Sequence, residues 1–283
     1  MGHFWTLVGR LSPHRWVLCT GLLAVLPCLA QPPGVLYSTT VPFDSSIGMS
    51  NGLMGTSPVV VAVTTDASGN SYVAGSVSSN GFAGTPGVVQ PAYIAGTCPD
   101  FYGLPSIACD DAFIAKFDPH GTLEFLTYLG GTGHDIPYSI AVDAAGNIYV
   151  GGQTTSTDFP IAGTPWHPVL SSGGIFVAKL SGDGKRLIWS TVLNGSLLQL
   201  STADDGSVYY LAQTFGEGSG TAALTKLTQD GQFVGTANVP SGTQVFAVGT
   251  NGSVYIGGSK GGSGIAATPA PGRLPTTEAT PAS

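Results

Sequence analysis

Apolar residues along this chain fall in short runs, broken at regular intervals by glycine with asparagine, aspartate or serine. Tyr138-Ser-Ile140-Ala-Val142 and Ile148-Tyr149-Val150 flank Asp143-Ala-Ala-Gly146-Asn147, whose Gly and Asn tolerate the positive φ of a tight hairpin. Phe176 to Leu180 and Leu187 to Leu193 flank Ser181-Gly-Asp-Gly184 in the same way. Each pair predicts two antiparallel strands, and the two pairs together make a unit of four strands, a to d. After the first thirty residues no stretch carries the periodicity of a long amphipathic helix, so the pattern predicts an all-β chain.

The unit repeats. The turn into strand b stands at Asp66 to Gly75 and Asp143 to Gly152, and more weakly at Asp205 to Leu211 and Asn251 to Gly257. Strand c with its turn stands at Asp111 to Gly121, Gly174 to Gly184 and Ala223 to Gly231. Strand d follows at Phe125 to Gly131, Trp189 to Gly195 and Val234 to Val239. Gly206 and Gly252 are 46 residues apart and Gly184 and Gly231 are 47 apart. A period of that size with four strands per unit is the mark of a β-propeller blade. The expected blades are 58–130, 138–195, 197–240 and an incomplete 244–264, with the largest insert between strands b and c of the first. Thr85-Pro86, Thr164-Pro165 and Thr268-Pro269 read as markers of the b-to-c connection, which would put the fourth strand c near Pro281. The orphan strand Leu36 to Val41, within 35–41, is expected to close the fourth blade, the alternatives being an open arc completed by another subunit or a truncated copy. The Ala/Thr/Pro-rich tail 265–283 is expected to be disordered.

The order Tyr-Leu-Gly-Gly, Ile-Ala-Val-Asp-Ala-Ala-Gly-Asn-Ile-Tyr-Val-Gly-Gly, Ser156-Thr157-Asp158-Phe159-Pro160, Phe-Val-Ala-Lys-Leu resembles the SBBP (seven-bladed β-propeller) repeat of secreted bacterial proteins. The match is close over 111 to 184 and weakens on both sides. The NHL repeat shares the Val-Asp-x-x-Gly-Asn-x-Tyr-Val core but lacks the Tyr-Leu-Gly-Gly and Asp-Phe-Pro phrases. The resemblance implies a fold and export; it implies no shared enzymatic activity.

Composition then narrows the setting. Residues 1–30 carry Arg10 and Arg15 before an apolar run from Trp16 to Leu26, and read as a secretory signal cleaved after Ala30. The run is short for a bilayer span, so no membrane span is expected after cleavage, and the protein is expected outside the cell or in the periplasm. Retention as an uncleaved anchor is the alternative. Without the leader, seven basic residues stand against sixteen acidic ones, and no basic cluster is present to attract a phosphate backbone, so nucleic acid is not an expected partner. Cys98 and Cys109 are the two cysteines outside the leader; an exported chain is expected to join them, contributing roughly 2 to 3 kcal/mol.

Candidate chemistry is sparse. Lys116, Lys179 and Lys226 recur at one repeat position and are expected to end strands with their ammonium groups in solvent; a basic collar is the sharper alternative. Asp66, Asp143 and Asp205 are expected to stabilise turns rather than hold calcium, which needs six to eight oxygens. Tyr72, Tyr149, Tyr209 and Tyr255 should pack between blades. His134-Asp135, in a d-to-a connection, is the one pair to test for catalysis or metal binding, and no Gly-x-Ser-x-Gly or His-Glu-x-x-His motif accompanies it. Phe101 and Tyr102, with Leu104 and Ile107, lie on the Cys98 to Cys109 loop and complete the weak candidate binding surface with His134 and Asp135. The expectation is a non-enzymatic, cofactor-free binding or scaffold module for a protein or glycan, with self-association as a way to complete the ring. The alternatives are a propeller enzyme, such as a glycan lyase, hydrolase or oxidoreductase, or a fragment with no independent role.

Overall fold

The turn glycines are where the chain reverses: Gly69, Gly146, Gly206 and Gly252 all have positive φ, between 74° and 86°, which a side chain would resist. The computed structural model describes residues 7–8, 38–39, 58–98, 107–166, 173–213, 222–240, 242–249, 252–259 and 265–269. Among these, regular structure is all β-strand.

A two-residue pair, β1 (Leu7–Val8) with β2 (Ser38–Thr39), comes first. Blade 1 is built from β3 (Val59–Thr65) and β4 (Ser71–Val77), then an insert with a small hairpin of β5 (Thr97–Cys98) and β6 (Ile107–Ala108), then β7 (Asp111–Phe117) and β8 (Leu123–Leu129). Blade 2 is β9 (Asp135–Val142), β10 (Ile148–Thr154), β11 (Gly174–Leu180) and β12 (Leu187–Leu193). Blade 3 is β13 (Ser196–Thr202), β14 (Val208–Gln213), β15 (Ala222–Leu227) and β16 (Phe233–Val239). Blade 4 has β17 (Thr243–Val248), β18 (Val254–Ser259) and β19 (Ile265–Pro269). The first three are four-stranded antiparallel sheets in sequence order and the fourth is a three-stranded one, so the described residues form an all-β propeller fold of four blades, the fourth with three strands among them.

Two boundary expectations are corrected. The tail expected to be disordered opens with β19, paired to β18 from Tyr255↔Pro269 to Ser259↔Ile265, so Thr268-Pro269 lies in strand c of blade 4 rather than in a connection before it. Backbone hydrogen bonding to a free sheet edge needs no large apolar side chains, which is why composition missed it. Ser38–Thr39, expected to close blade 4, pair instead with Leu7–Val8, and blade 4 consists of β17, β18 and β19 among the described residues. Beyond β1, residues 1–30 lie outside the described residues, as do 270–283.

Blades stack face to face through apolar clusters. Tyr72, Ile114 and Leu129 of blade 1 meet Ile148, Val150 and Phe176 of blade 2. Tyr149, Val177 and Trp189 of blade 2 meet Val208, Tyr210 and Leu227 of blade 3, and Tyr209 and Leu224 of blade 3 meet Val254 and Ile256 of blade 4. Tyr255 departs from the expectation for its position: it is 49% exposed, whereas Tyr72, Tyr149 and Tyr209 are at most 4% exposed.

The recurrent lysines prove to be part of the blades. Lys116, Lys179 and Lys226 lie 5.6, 5.0 and 5.2 Å from the ring centroids of Tyr72, Tyr149 and Tyr209, across the b–c pairing. Lys179 is buried rather than solvated, donating from Nζ to the Gln229 carbonyl at 3.1 Å beside Asp143. Burial pushes its pKa down, opposed by the charges of Asp143 and Asp230. The hydroxyls of Tyr72 and Tyr149 donate to Asp66 and Asp143, whose turns bond in the same pattern. Asp205 is not their equivalent. In the third turn Ala203 bonds to Ser207 as Asp66 bonds to Asn70, so Asp205 sits two positions later and reaches Lys226 at 3.4 Å.

Candidate functional site

The junction between blades 1 and 2 concentrates the polar chemistry. Strand β8 leaves blade 1 through Gly130-Gly131, and the absence of side chains there makes room for carboxylates. A Cβ on Gly130 would lie 2.8 Å from Asp135 Oδ2 and 3.0 Å from Asp111 Oδ1; one on Gly131 would lie 2.3 Å from Asp158 Oδ1. Asp111 opens β7, Asp135 opens β9, and Asp158 stands in the connection after β10, so three elements deliver their acids to one turn.

Those acids and their neighbours bind the turn's backbone. Gly130 N–H donates to Gln90 Oε1 (3.1 Å), Gly131 N–H to Asp135 Oδ2 (2.8 Å) and Thr132 N–H to Asp158 Oδ1 (2.8 Å). Gly133 N–H donates to Ser156 Oγ (2.8 Å) and His134 N–H to Thr155 Oγ1 (2.7 Å). Five consecutive amides thus each find a side-chain acceptor, and Ser156 Oγ in turn donates to Asp135 Oδ2 at 2.6 Å.

Asp111 and Asp135 are fully buried, and Oδ1 of each has no hydrogen-bond partner. Asp111 Oδ2 accepts from Ile94 N–H at 2.8 Å and, at 3.4 Å, from the Gln90 amide. Burial pushes the Asp111 carboxyl up to about 7, with the Ile94 bond opposing and Asp135 adding to the rise. Burial likewise pushes Asp135 up to about 6 against the Ser156 and Thr154 hydroxyls and the Gly131 N–H. Asp158, nearer solvent, is held below the ordinary carboxylate range by the Thr132 N–H. Beside them Tyr93 donates to the Cys109 carbonyl at 2.7 Å and its phenol rises to about 12, through burial first and then the Asp111 charge.

The sequence-derived candidates separate here. Cys98 and Cys109 are bonded, with Cα atoms 5.2 Å apart, and tie the insert's hairpin beside Asp110 and Asp111. His134 Nδ1 lies 3.0 Å from Asp110 Oδ2 and 3.1 Å from Asp110 N, facing the insert. Asp135 is no surface residue: it is the first residue of a strand and points into the junction. Phe101, Tyr102 and Leu104 lie outside the described residues, as does the Ile107 side chain. Sequence reasoning missed Gln90, Asp110, Asp111, Ser156 and Asp158. The signal available was the Gly-Gly pair itself, which a tight approach by other side chains would require.

The chemistry open to this group is limited. Ser156 donates to Asp135, while His134 faces Asp110, so among the described residues no imidazole is paired with that hydroxyl. Among the described residues no set of three or more His, Cys, Asp or Glu side chains is placed to hold a metal ion. Next to the junction a cleft of about 340 Å³ is lined by Gln153, Thr154, Thr155, Gly173, Gly174, Asn194 and Gly195, without a charged group.

Comparison with known proteins places the same segment in a repeat family. Residues 124–160, from β8 to the Asp-Phe-Pro phrase, match the family model of the SBBP beta-propeller repeat. No curated protein matches the chain. Among solved structures the chain is similar to a hydrazine synthase of Kuenenia stuttgartiensis, at 11% identity and TM-score 0.39, over 76% of this chain and 60% of that one. It is also similar to a protein of unknown function from Bacteroides caccae (14%, TM-score 0.31, 72% of this chain and 71% of that one). A third is regucalcin, a calcium-binding protein from Agrobacterium tumefaciens (12%, TM-score 0.25, 72% and 83%). The chain thus spans less than two thirds of the length of the hydrazine synthase chain. Likenesses this distant say nothing of activity.

Proposed function

We propose that this chain, which carries the SBBP β-propeller repeat, is an exported, non-enzymatic binding or scaffold module for a protein or glycan. One observation carries the reading: at the junction between blades 1 and 2 polar side chains are turned onto the protein's own backbone, five amides in a row from Gly130 to His134 being held by Gln90, Asp135, Asp158, Ser156 and Thr155. Groups so committed rigidify a connection and are not free to meet a substrate. The uncharged cleft by Gln153 and Asn194 offers amide and hydroxyl groups suited to a glycan's hydroxyls, and the disulfide-tied insert offers a second individual surface. Export agrees with a bonded cysteine pair, and no described helix is long and apolar enough to cross a membrane.

The test pairs binding with turnover. The purified chain is applied to arrays of polysaccharides and extracellular proteins and, in parallel, to glycosidase, polysaccharide-lyase and dehydrogenase substrates. Saturable binding weakened by Asn194→Ala or by Phe101→Ala/Tyr102→Ala, without turnover, supports the reading. Turnover abolished by Asp135→Asn in a chain that stays folded sinks it in favour of a propeller enzyme.

A further inference from the structure

Both ends of the arc expose what every internal junction buries. The four innermost strands share one irregularity, a residue skipped in the pairing at Val61, Tyr138, Leu198 and Gln244, and this aligns the blades position by position. Just after it stand Ala62, Ser139, Gln199 and Val245; next come Val63, Ile140, Leu200 and Phe246. Each internal junction sets the first of these positions in one blade against the second in the following blade. Ser139 Oγ donates to the Leu200 carbonyl (3.1 Å) and accepts from Leu200 N–H (3.0 Å). The Gln199 amide does the same with Phe246, at 3.0 and 2.7 Å. Between blades 1 and 2 the contact is apolar, Ala62 packing on the cluster that holds Ile140.

At the open ends the corresponding partners are Val245 on blade 4 and Val63 on blade 1, each 55% exposed. Around Val63 the first strand also exposes Val59, Val60 and Val61, at 53, 39 and 41%. On the other end Tyr255 is half exposed, although its equivalents in blades 1 to 3 are covered by the following blade. The two ends therefore carry the two halves of one repeated interface, apolar on apolar as at Ala62 and Ile140, and neither is covered by another blade among the described residues.

We propose that a second copy of this chain supplies the missing partner: blade 4 of one copy, through Val245 and Tyr255, seats on the valine row of blade 1 of the other, and the reverse contact closes the pair. Two four-blade arcs make an eight-blade ring, at the upper end of the usual four to eight blades. A head-to-tail contact of this kind closes as a pair when each four-blade arc spans half a turn, and otherwise runs on into open-ended polymers. The interface continues the one between blades 1, 2, 3 and 4, and it is independent of what the propeller binds.

The experiment is light-scattering mass of the full chain, whose protomer is 28.6 kDa, with Val63→Lys and Val245→Glu alone and mixed. Wild type is expected at twice the protomer mass. Each variant alone, with a charge set against a valine at both junctions, should weaken association on the order of 100-fold and run as a monomer. Mixing the two variants restores a dimer, in which one junction pairs the two opposite introduced charges and the other pairs two valines. Circular dichroism melts like those of wild type keep loss of fold out of the result, since both positions face solvent in the single chain. A monomeric wild type at 100 μM, a dimer that survives both single variants, variants that fail to recover on mixing, or open-ended polymers would each overturn the proposal.

Discussion

Replacing Asp111 by Asn probes the blade junction directly, because the buried carboxyl carries a charge that the fold disfavours. Its pKa rises from 3.8 to about 7, mainly through burial, so the folded chain binds a proton that the unfolded chain releases near pH 4. The sign follows: well below pH 4 both states hold the proton and no penalty exists; between about pH 4 and 7 the unfolded chain has released its proton while the folded chain keeps it, so the penalty grows with pH and levels off above 7. A rise of about three pH units corresponds to a penalty of up to about 4 kcal/mol above pH 8, due chiefly to burial with a smaller part from the Asp135 charge. Asparagine keeps an oxygen for the Ile94 N–H and cannot ionise. Urea unfolding of wild type and Asp111→Asn at pH 5 and pH 8 measures the effect. Asp110, Asp135, Asp158, His134, Tyr93 and Tyr128 surround the site and are common to both chains, so their contributions largely cancel in the difference. Asp111→Asn is expected to stabilise the chain at pH 8 by about 2 to 4 kcal/mol and at pH 5 by less than half as much, about 1 to 2 kcal/mol. Equal effects at the two pH values would refute the buried-charge argument, and destabilisation confined to pH 8 would mean that the carboxylate is a net stabilising partner.

Other consequences follow from the same geometry. Gly131→Ala drives a methyl to 2.3 Å from Asp158 Oδ1 and should cost about 2 to 4 kcal/mol in urea unfolding, part of it recovered when Asp158→Ala is added; an additive double variant would dissociate the glycine from the carboxylate. Gln199→Ala removes both bonds to Phe246 and should speed amide exchange in β17 and β18 while leaving β9 and β10 protected. Uniform acceleration across the chain would show that the bridge is not local. Reducing Cys98–Cys109 should lower stability by roughly 2 to 3 kcal/mol, read from unfolding midpoints with and without reductant. An unchanged midpoint would mean that the insert is ordered by its contacts alone.

Much of the architecture was legible because propeller blades are local. Hairpin turns announce themselves through glycines that must take positive φ, and the repeat period follows from counting between them, so four blades, an incomplete last one, and the cysteine pair were all readable from residues alone. The recurrent Tyr and Lys were equally visible, but their meeting as ring and cation depends on the b–c register, which sets Tyr149 opposite Lys179 and Tyr209 opposite Lys226. Composition failed for β19, because an edge strand is held by backbone hydrogen bonds that Ala and Thr satisfy as well as Val does. The junction at Gly130 lies furthest beyond sequence reasoning. Asp111, Asp135 and Asp158 are separated by dozens of residues, and only the stacking of blade 2 on blade 1 brings their oxygens onto one glycine pair. Local patterning determined which segments become strands; the burial, the shifted carboxyl groups and the two exposed arc ends were decided by how the blades stack, a long-range matter that no short window of residues contains.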